Sequence, residues 1–366
     1  MARCHVVSFA YICIKLIQLR RLLVATWHGA CNISIMKRIF YLFVVPAVAV
    51  MAMAGCKVEP GPEPKTTAGK DHQVVVIADD DVWHGELAYA VCDVLEQDIP
   101  GLVRPEGYFD IVKQVSSKSA TDIDKRYGLI LTFNIQPTEV ETTYKLSENV
   151  YARPQYLLTI TAPNVEAAVS FVEQNGDMIR ATFEECERNE SLADDKRKPA
   201  KQLMADLKSH VGVDMLIPAN FSKANPADEE LLWYIRDYKN KAQYIFAFTM
   251  PCSADMSAKD KSVAVAEAIN AKFNTITSKG ASGSYMRITD YYPLERALVD
   301  VNGRKMIELR GRWDVANDFM GGSFVAYALE DGAADELDVI IFALYAPEDC
   351  HRNLMREMEY LVYTIK

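Results

Sequence analysis

Three consecutive carboxylates, Asp79, Asp80 and Asp81, follow an apolar run in "VVVIADDDVWHGEL". Clustered carboxylates attract hard cations such as Mg2+, and the carboxyl end of a strand just ahead of a helix is where open α/β sites form. The chemistry they would support is metal-assisted hydrolysis. Acids in this position also cap helices or stand in water, and that simpler role is the expectation for them.

A second set lies in "MIELRGRWDVANDFMGGSFV", residues 306–325. Period-two alternation puts Ile307, Leu309, Gly311 and Trp313 on one face of a strand and Glu308, Arg310 and Arg312 on the other. Gly321 and Gly322 then permit a tight turn or a close backbone approach beside Asn317 and Asp318. Arg310, Arg312, Trp313, Asn317, Asp318, Gly321 and Gly322 could together form a groove for a carboxylate or for sugar hydroxyls. An antiparallel strand with one solvated face explains the same alternation, and that is the expectation.

Other reactive residue types show no chemical spacing. His72, His84, His210 and His351 do not stand in a zinc-ligand motif, and Cys92, Cys186, Cys252 and Cys350 contain no C-x-x-C. Cys252 and Cys350 each follow a strand-ending proline and could pair, but isolated cysteines are more often buried thiols. The stretch "SKGASGSY" lacks the lysine and spacing of a phosphate cradle. No catalytic residue and no cofactor is implied.

The elements that would position these residues can be read from the apolar runs. "QYLLTITAP", "QYIFAFTMP" and "IIFALYAP" are each a strand that stops at a proline and precedes a helix. In the second and third units a polar turn and another strand come first, which makes a hairpin. Tight hairpins pair antiparallel. The expected fold is therefore α+β, with mainly antiparallel sheets, helices packed on one face, internal strand–Pro–helix repeats and two lobes. In the first lobe strands are expected near 74–79, 108–115, 128–134 and 155–162.

The amino terminus carries an address. From Met36 the chain reads "MKRIFYLFVVPAVAVMAMAGC", two positive charges followed by an apolar stretch too short to span a bilayer. Its end, Met53-Ala54-Gly55-Cys56, resembles a bacterial lipobox, in which the cysteine receives lipid and becomes the first mature residue. Residues 1–35 read as a spurious upstream extension, 36–55 as a lipoprotein signal peptide and 56–73, with Pro60, Pro62 and Pro64, as a flexible tether. Residues 74–212 and 213–366 are then the first and second α+β domains.

Charge narrows the partners. The 366 residues carry a net charge of -10, yet the first 55 contain six Lys and Arg and no acid. The remainder, at -16, repels phosphate backbones, so nucleic acid is not an expected partner.

The stretches "VVVIADDDVWHGEL", "DIPGLVRPEGYFDIV", "YARPQYLLTITAPN", "GSYMRITDYYPLERA", "LRGRWDVANDFMGGSFV" and "RNLMREMEYLVYTIK" make the body resemble a Bacteroidota envelope lipoprotein family, domain of unknown function 4837. The resemblance implies an exported, lipid-anchored protein and brings no activity with it. The expected function is a non-enzymatic binding or assembly module of the cell envelope. It would be held at the outer membrane through lipid on Cys56, with an envelope protein or a glycan as partner. The alternative is the metal-assisted hydrolase centred on Asp79–Asp81.

Overall fold

Strands rich in Val, Ile and aromatics form two sheets in the computed structural model, which describes residues 65–366 apart from 197, 280 and 331–334. The lipobox and the segments before it lie outside the described residues. Pro64–Lys366 forms one compact unit.

The smaller sheet has the order β2-β1-β3-β5-β4, from β1 (Gln73–Ile77), β2 (Asp110–Val115), β3 (Leu129–Ile135), β4 (Thr143–Glu148) and β5 (Tyr156–Ala162). Helix α1 (Glu86–Leu95) connects β1 to β2, and α2 (Val165–Asp195) follows β5. Both helices share one core with Val74, Val76, Leu129, Leu131, Leu158 and Ile160, on a single face of the sheet. The β1–β2, β1–β3 and β3–β5 pairs are parallel, and only β4 runs antiparallel. A helical crossover such as α1 returns the chain in the same direction, whereas a hairpin reverses it.

The larger sheet contains β6 (Ser222–Lys223), β7 (Leu232–Tyr238), β8 (Lys241–Pro251), β10 (Glu295–Val301), β11 (Arg304–Ala316), β12 (Gly321–Leu329) and β13 (Glu336–Tyr345) in the order β10-β11-β12-β13-β8-β7-β6. Strand β9 (Tyr285–Ile288) pairs with the end of β11. All pairs in it are antiparallel. The chain is thus α+β, with a mainly parallel small sheet joined to an antiparallel large one.

Helices lie on both faces of the large sheet rather than on one. Helix α4 (Ala258–Phe273) packs Val265, Ile269 and Phe273 with Phe246, Ile341 and Phe324. On the other face α3 (Lys201–Val211), α5 (His351–Glu359) and the closing turn Tyr360–Thr364 cover Ile245, Ile340 and Phe342. The strand–Pro–helix units β8–α4 and β13–α5 therefore send their helices to opposite faces. Phe246 and Phe342 each stand five residues before their proline, yet they point into different cores.

Candidate functional site

The small sheet meets the large one along α5, and the two ends of that helix are treated differently. At its amino end the loop before β2 crosses onto the large sheet. Gly101 has φ of 79°, and a Cβ there would come within 2.9 Å of the Gly311 nitrogen, so only glycine fits so close to β11. Val103 N–H donates to Ser323 Oγ at 3.0 Å, and the Arg104 guanidinium donates to Pro347 O at 2.7 Å. Both oxygens of Glu106 accept backbone N–H groups of His351 and Arg352 at 2.8 Å, satisfying donors that begin α5. Arg352 then holds Asp110 through two bonds of 2.8 and 2.7 Å. The Arg352 hydrogen bond is the main reason the Asp110 carboxyl is held below its usual range.

His351 completes this latch. Its Nε2–H donates to Ala346 O at 3.0 Å, which leaves Nδ1 bare to accept the Ser323 hydroxyl at 3.0 Å. Burial lowers the imidazole pKa; the Ala346 carbonyl and Glu106 oppose that, while Arg104 and Arg312 add to it. Serine and histidine are here 1% and 3% exposed, so the pair holds structure and offers no nucleophile to a substrate.

The arginines of β11 are also closed off from solvent. Arg310 is buried apart from 16% of its side chain, and it forks onto Glu308 at 2.7 and 3.0 Å and onto Glu359 of α5 at 3.0 and 2.7 Å. Arg312 donates to Leu102 O at 2.9 Å and lies 3.6 Å from the ring centre of Tyr292. Their face of the strand is neither solvated nor a groove, because α5 and the crossing loop cover it. Trp313, 3% exposed, points into the α4 core on the opposite face. The tight turn is built by Asn317 and Asp318, not by the glycines. Asn317, with φ of 61°, donates to Gly283 O at 3.0 Å, and Asp318 accepts the Ser278 hydroxyl. Gly321 and Gly322 begin β12, where a Cβ at Gly322 would overlap the Leu344 carbonyl of β13.

Asp79, Asp80 and Asp81 lie elsewhere, at the end of β1. Asp79 accepts the Ser117 hydroxyl at 2.9 Å and its carbonyl accepts from Val82 and Trp83, while Asp80 and Asp81 are exposed. Helix α1 starts only at Glu86, behind Gly85, so these acids do not cap it. Among the described residues, no group of three or more His, Cys, Asp or Glu is arranged to hold a metal ion. The four cysteines of the body are free, with Cys350 exposed and Cys252 buried.

At the carboxyl end of α5 the seam opens into a cleft of about 670 Å³. His72, just before β1, stands in its wall although only 4% exposed. Its φ is 62°, a left-handed backbone that side chains other than Asn, Asp and His seldom adopt. Glu187 of α2 holds it there, accepting the His72 backbone N–H at 2.5 Å and pairing with the ring at Nδ1. Arg356 of α5 pairs with Glu184 at 2.7 Å and reaches the same ring nitrogen at 3.2 Å. Burial raises the Glu184 pKa against the pull of Arg356. On the far wall Arg236 is 8% exposed and donates to Gln243 at 2.5 Å and to Glu357 at 2.6 Å. Tyr156 donates to Glu190 at 2.8 Å, and the buried Tyr360 hydroxyl has no protein partner among the described residues.

None of the candidate residues read from the sequence lines this cleft. His72 was visible there only as a histidine outside any zinc motif. Its partners Glu187 and Arg356 stand 115 and 284 residues away, a distance at which a single sequence gives no pairing signal.

Residues 200–364 match the family model DUF4837, a domain of unknown function, and residues 67–194 match DUF8532, also a domain of unknown function. No curated protein matches the chain. Among solved structures, the Ran-binding protein Mog1p of Saccharomyces cerevisiae aligns at 12% identity and a TM-score of 0.28, over 42% of this chain and 89% of that one. A mutant of protein Mog1 aligns with the same values. Likeness at that score is too slight to bear on fold or function.

Proposed function

We propose that this chain is a lipid-anchored cell-envelope protein whose body binds a partner in the cleft between its two sheets. The observation that carries the reading is the sequence from Lys37 to Cys56, where a charged start and a short apolar run end on Met-Ala-Gly-Cys. Resemblance to Bacteroidota lipoproteins of unknown function supports the same address, which would be the outer membrane. Several acyl chains on Cys56, each buried methylene contributing ~0.8 kcal/mol, would hold the protein durably at a bilayer.

A binding role suits the cleft's geometry. Its ionic side chains are held in fixed pairs, Arg236 with Glu357 and Arg356 with Glu184, which gives a rigid polar wall. Labelled fatty acid should enter the wild-type chain and fail to enter Cys56→Ala, which should persist as an uncleaved precursor. Normal processing of Cys56→Ala would end the anchored reading.

A further inference from the structure

An edge strand leaves a row of N–H and C=O groups unpaired, so it is where one chain most readily pairs with another. Among the described residues the two sheets end in four such strands, and three of them are blunted. β6 has only two residues, β4 carries Lys145 in its middle, and β2 meets β1 across a break in register. β10 has no such device. Its seven residues, "ERALVDV", contain neither Pro nor Lys, and they run in unbroken register with β11 from the pair Glu295–Arg310 to the pair Val301–Arg304.

The turn that follows fixes which groups face outward. Asn302 and Gly303, with φ of 54° and 82°, make a two-residue turn of the kind that closes hairpins. Such a turn closes on a bond from the Arg304 N–H to the Val301 carbonyl, so these two residues form a hydrogen-bonded pair. Bonded and non-bonded pairs alternate along an antiparallel ladder. Val301, Val299, Ala297 and Glu295 therefore turn their backbone groups to β11, whereas Asp300, Leu298 and Arg296 turn theirs to the open edge. Among the described residues no loop, turn or cap bond reaches the backbone of those three.

The same three residues complement their own copy. An antiparallel partner strand centred on Leu298 sets Leu298 against Leu298 and, twice, Arg296 against Asp300, so outward backbone groups meet outward backbone groups. Among the described residues the Arg296 guanidinium touches only the Leu294 carbonyl, and Asp300 uses one oxygen to hold the Gly303 N–H and keeps the other for the arginine. Opposite charges directly across a strand pair are favourable. Leu298 is 65% exposed beside a hollow of about 180 Å³ bordered by Met256, Ile307 and Leu337, where a second leucine would bring apolar cover.

From this we propose that two copies of the chain associate through β10, antiparallel about Leu298, and join their large sheets into one. The proposal rests on neither the cleft nor the lipid anchor.

Sedimentation of the full chain in mild detergent, from roughly 1 to 300 µM, spans the weak affinities expected of so small a contact. The wild type should pass from monomer to dimer. Leu298→Lys sets two like charges opposite one another and should raise the Kd at least about tenfold. Its melting temperature at monomer concentrations should match the wild type, because the side chain is exposed. Oxidative cross-linking reads the register, with the exposed Cys350 of the wild type as background. Facing residues of a bonded pair have Cα atoms about 5.5 Å apart, within disulfide reach. Leu298→Cys should therefore link to its own copy, whereas Arg296→Cys, displaced by four residues and so roughly 14 Å from its own copy, should not. A wild type that stays monomeric throughout overturns the proposal. So does a dimer that Leu298→Lys leaves intact, or one in which Arg296→Cys links as fast as Leu298→Cys.

Discussion

Two buried histidines sit at opposite ends of the seam along α5, and one nitrogen separates them. His351 has both ring nitrogens engaged, by Ser323 and by the Ala346 carbonyl. His72 has Nδ1 within reach of Glu187 and Arg356, and among the described residues its Nε2 has no polar contact. Burial alone therefore does not separate a structural histidine from a candidate site. The partners of the two rings do, because His351 is tied through both nitrogens whereas His72 is tied through one. The arginines follow the same division. Arg352 ties α5 to β2 at the closed end and Arg310 ties β11 to α5, whereas Arg236 and Arg356 stiffen the wall of the open end.

The largest effect is expected at the buried fork of Arg310. Arg310→Met would leave Glu308 and Glu359 facing one another with 14% and 13% of their side chains exposed. Opening a buried pair in this way costs roughly 3–5 kcal/mol, and the residual exposure puts this case at the low end, roughly 3 kcal/mol. Chemical denaturation should show the midpoint falling accordingly. A loss below about 1 kcal/mol, the value of an exposed pair, would mean that the latch is no tighter than the surface. Reversing the charges of Arg310 and Arg312 is not a neutral probe of binding, as it would be on a solvated strand.

A smaller effect should separate the histidines by pH. His351 is held below its usual value of 6.5, so the folded chain resists a proton that the unfolded chain accepts. Stability should therefore be complete above about pH 6.5 and fall as the pH drops below it, until the folded imidazole also protonates. Denaturant midpoints measured from pH 7 to pH 5 should decline in the wild type and decline less in His351→Gln. Hydrogen exchange at the Val103 amide, which donates to Ser323, should quicken over the same window. Identical slopes in wild type and variant would mean that the latch is indifferent to protonation.

Much of the architecture was legible because it is local. Each proline-ended apolar run is a strand, a helix follows each, and the β7–β8 and β12–β13 hairpins stand where the polar turns put them. Parallel pairing in the small sheet was not legible, since direction is set by the crossover through α1 rather than by any strand's composition. The edge strand β4 offered only Tyr144 and Leu146 among polar residues, and both are exposed. One available signal went unused: β8 and β13 are apolar at nearly every position, and strands that read so are buried on both faces. That pattern foretells helices on both sides of the large sheet. The cleft was illegible for a different reason, because its members come from the start of β1, the last turns of α2 and the end of α5.

The smallest effect is expected at the acids, which belong to neither end of the seam. Asp79 is occupied by Ser117, and its two neighbours stand in solvent away from any cluster that could close around an ion. Exposed side chains without special partners change stability by no more than about 0.5 kcal/mol when replaced. The double substitution Asp80→Asn with Asp81→Asn should therefore leave the melting temperature nearly unchanged. Millimolar Mg2+ should shift the wild type and this variant alike, because only an ion bound to the folded form adds stability by mass action. A metal-dependent rise present in the wild type and lost in the variant would return chemistry to the end of β1.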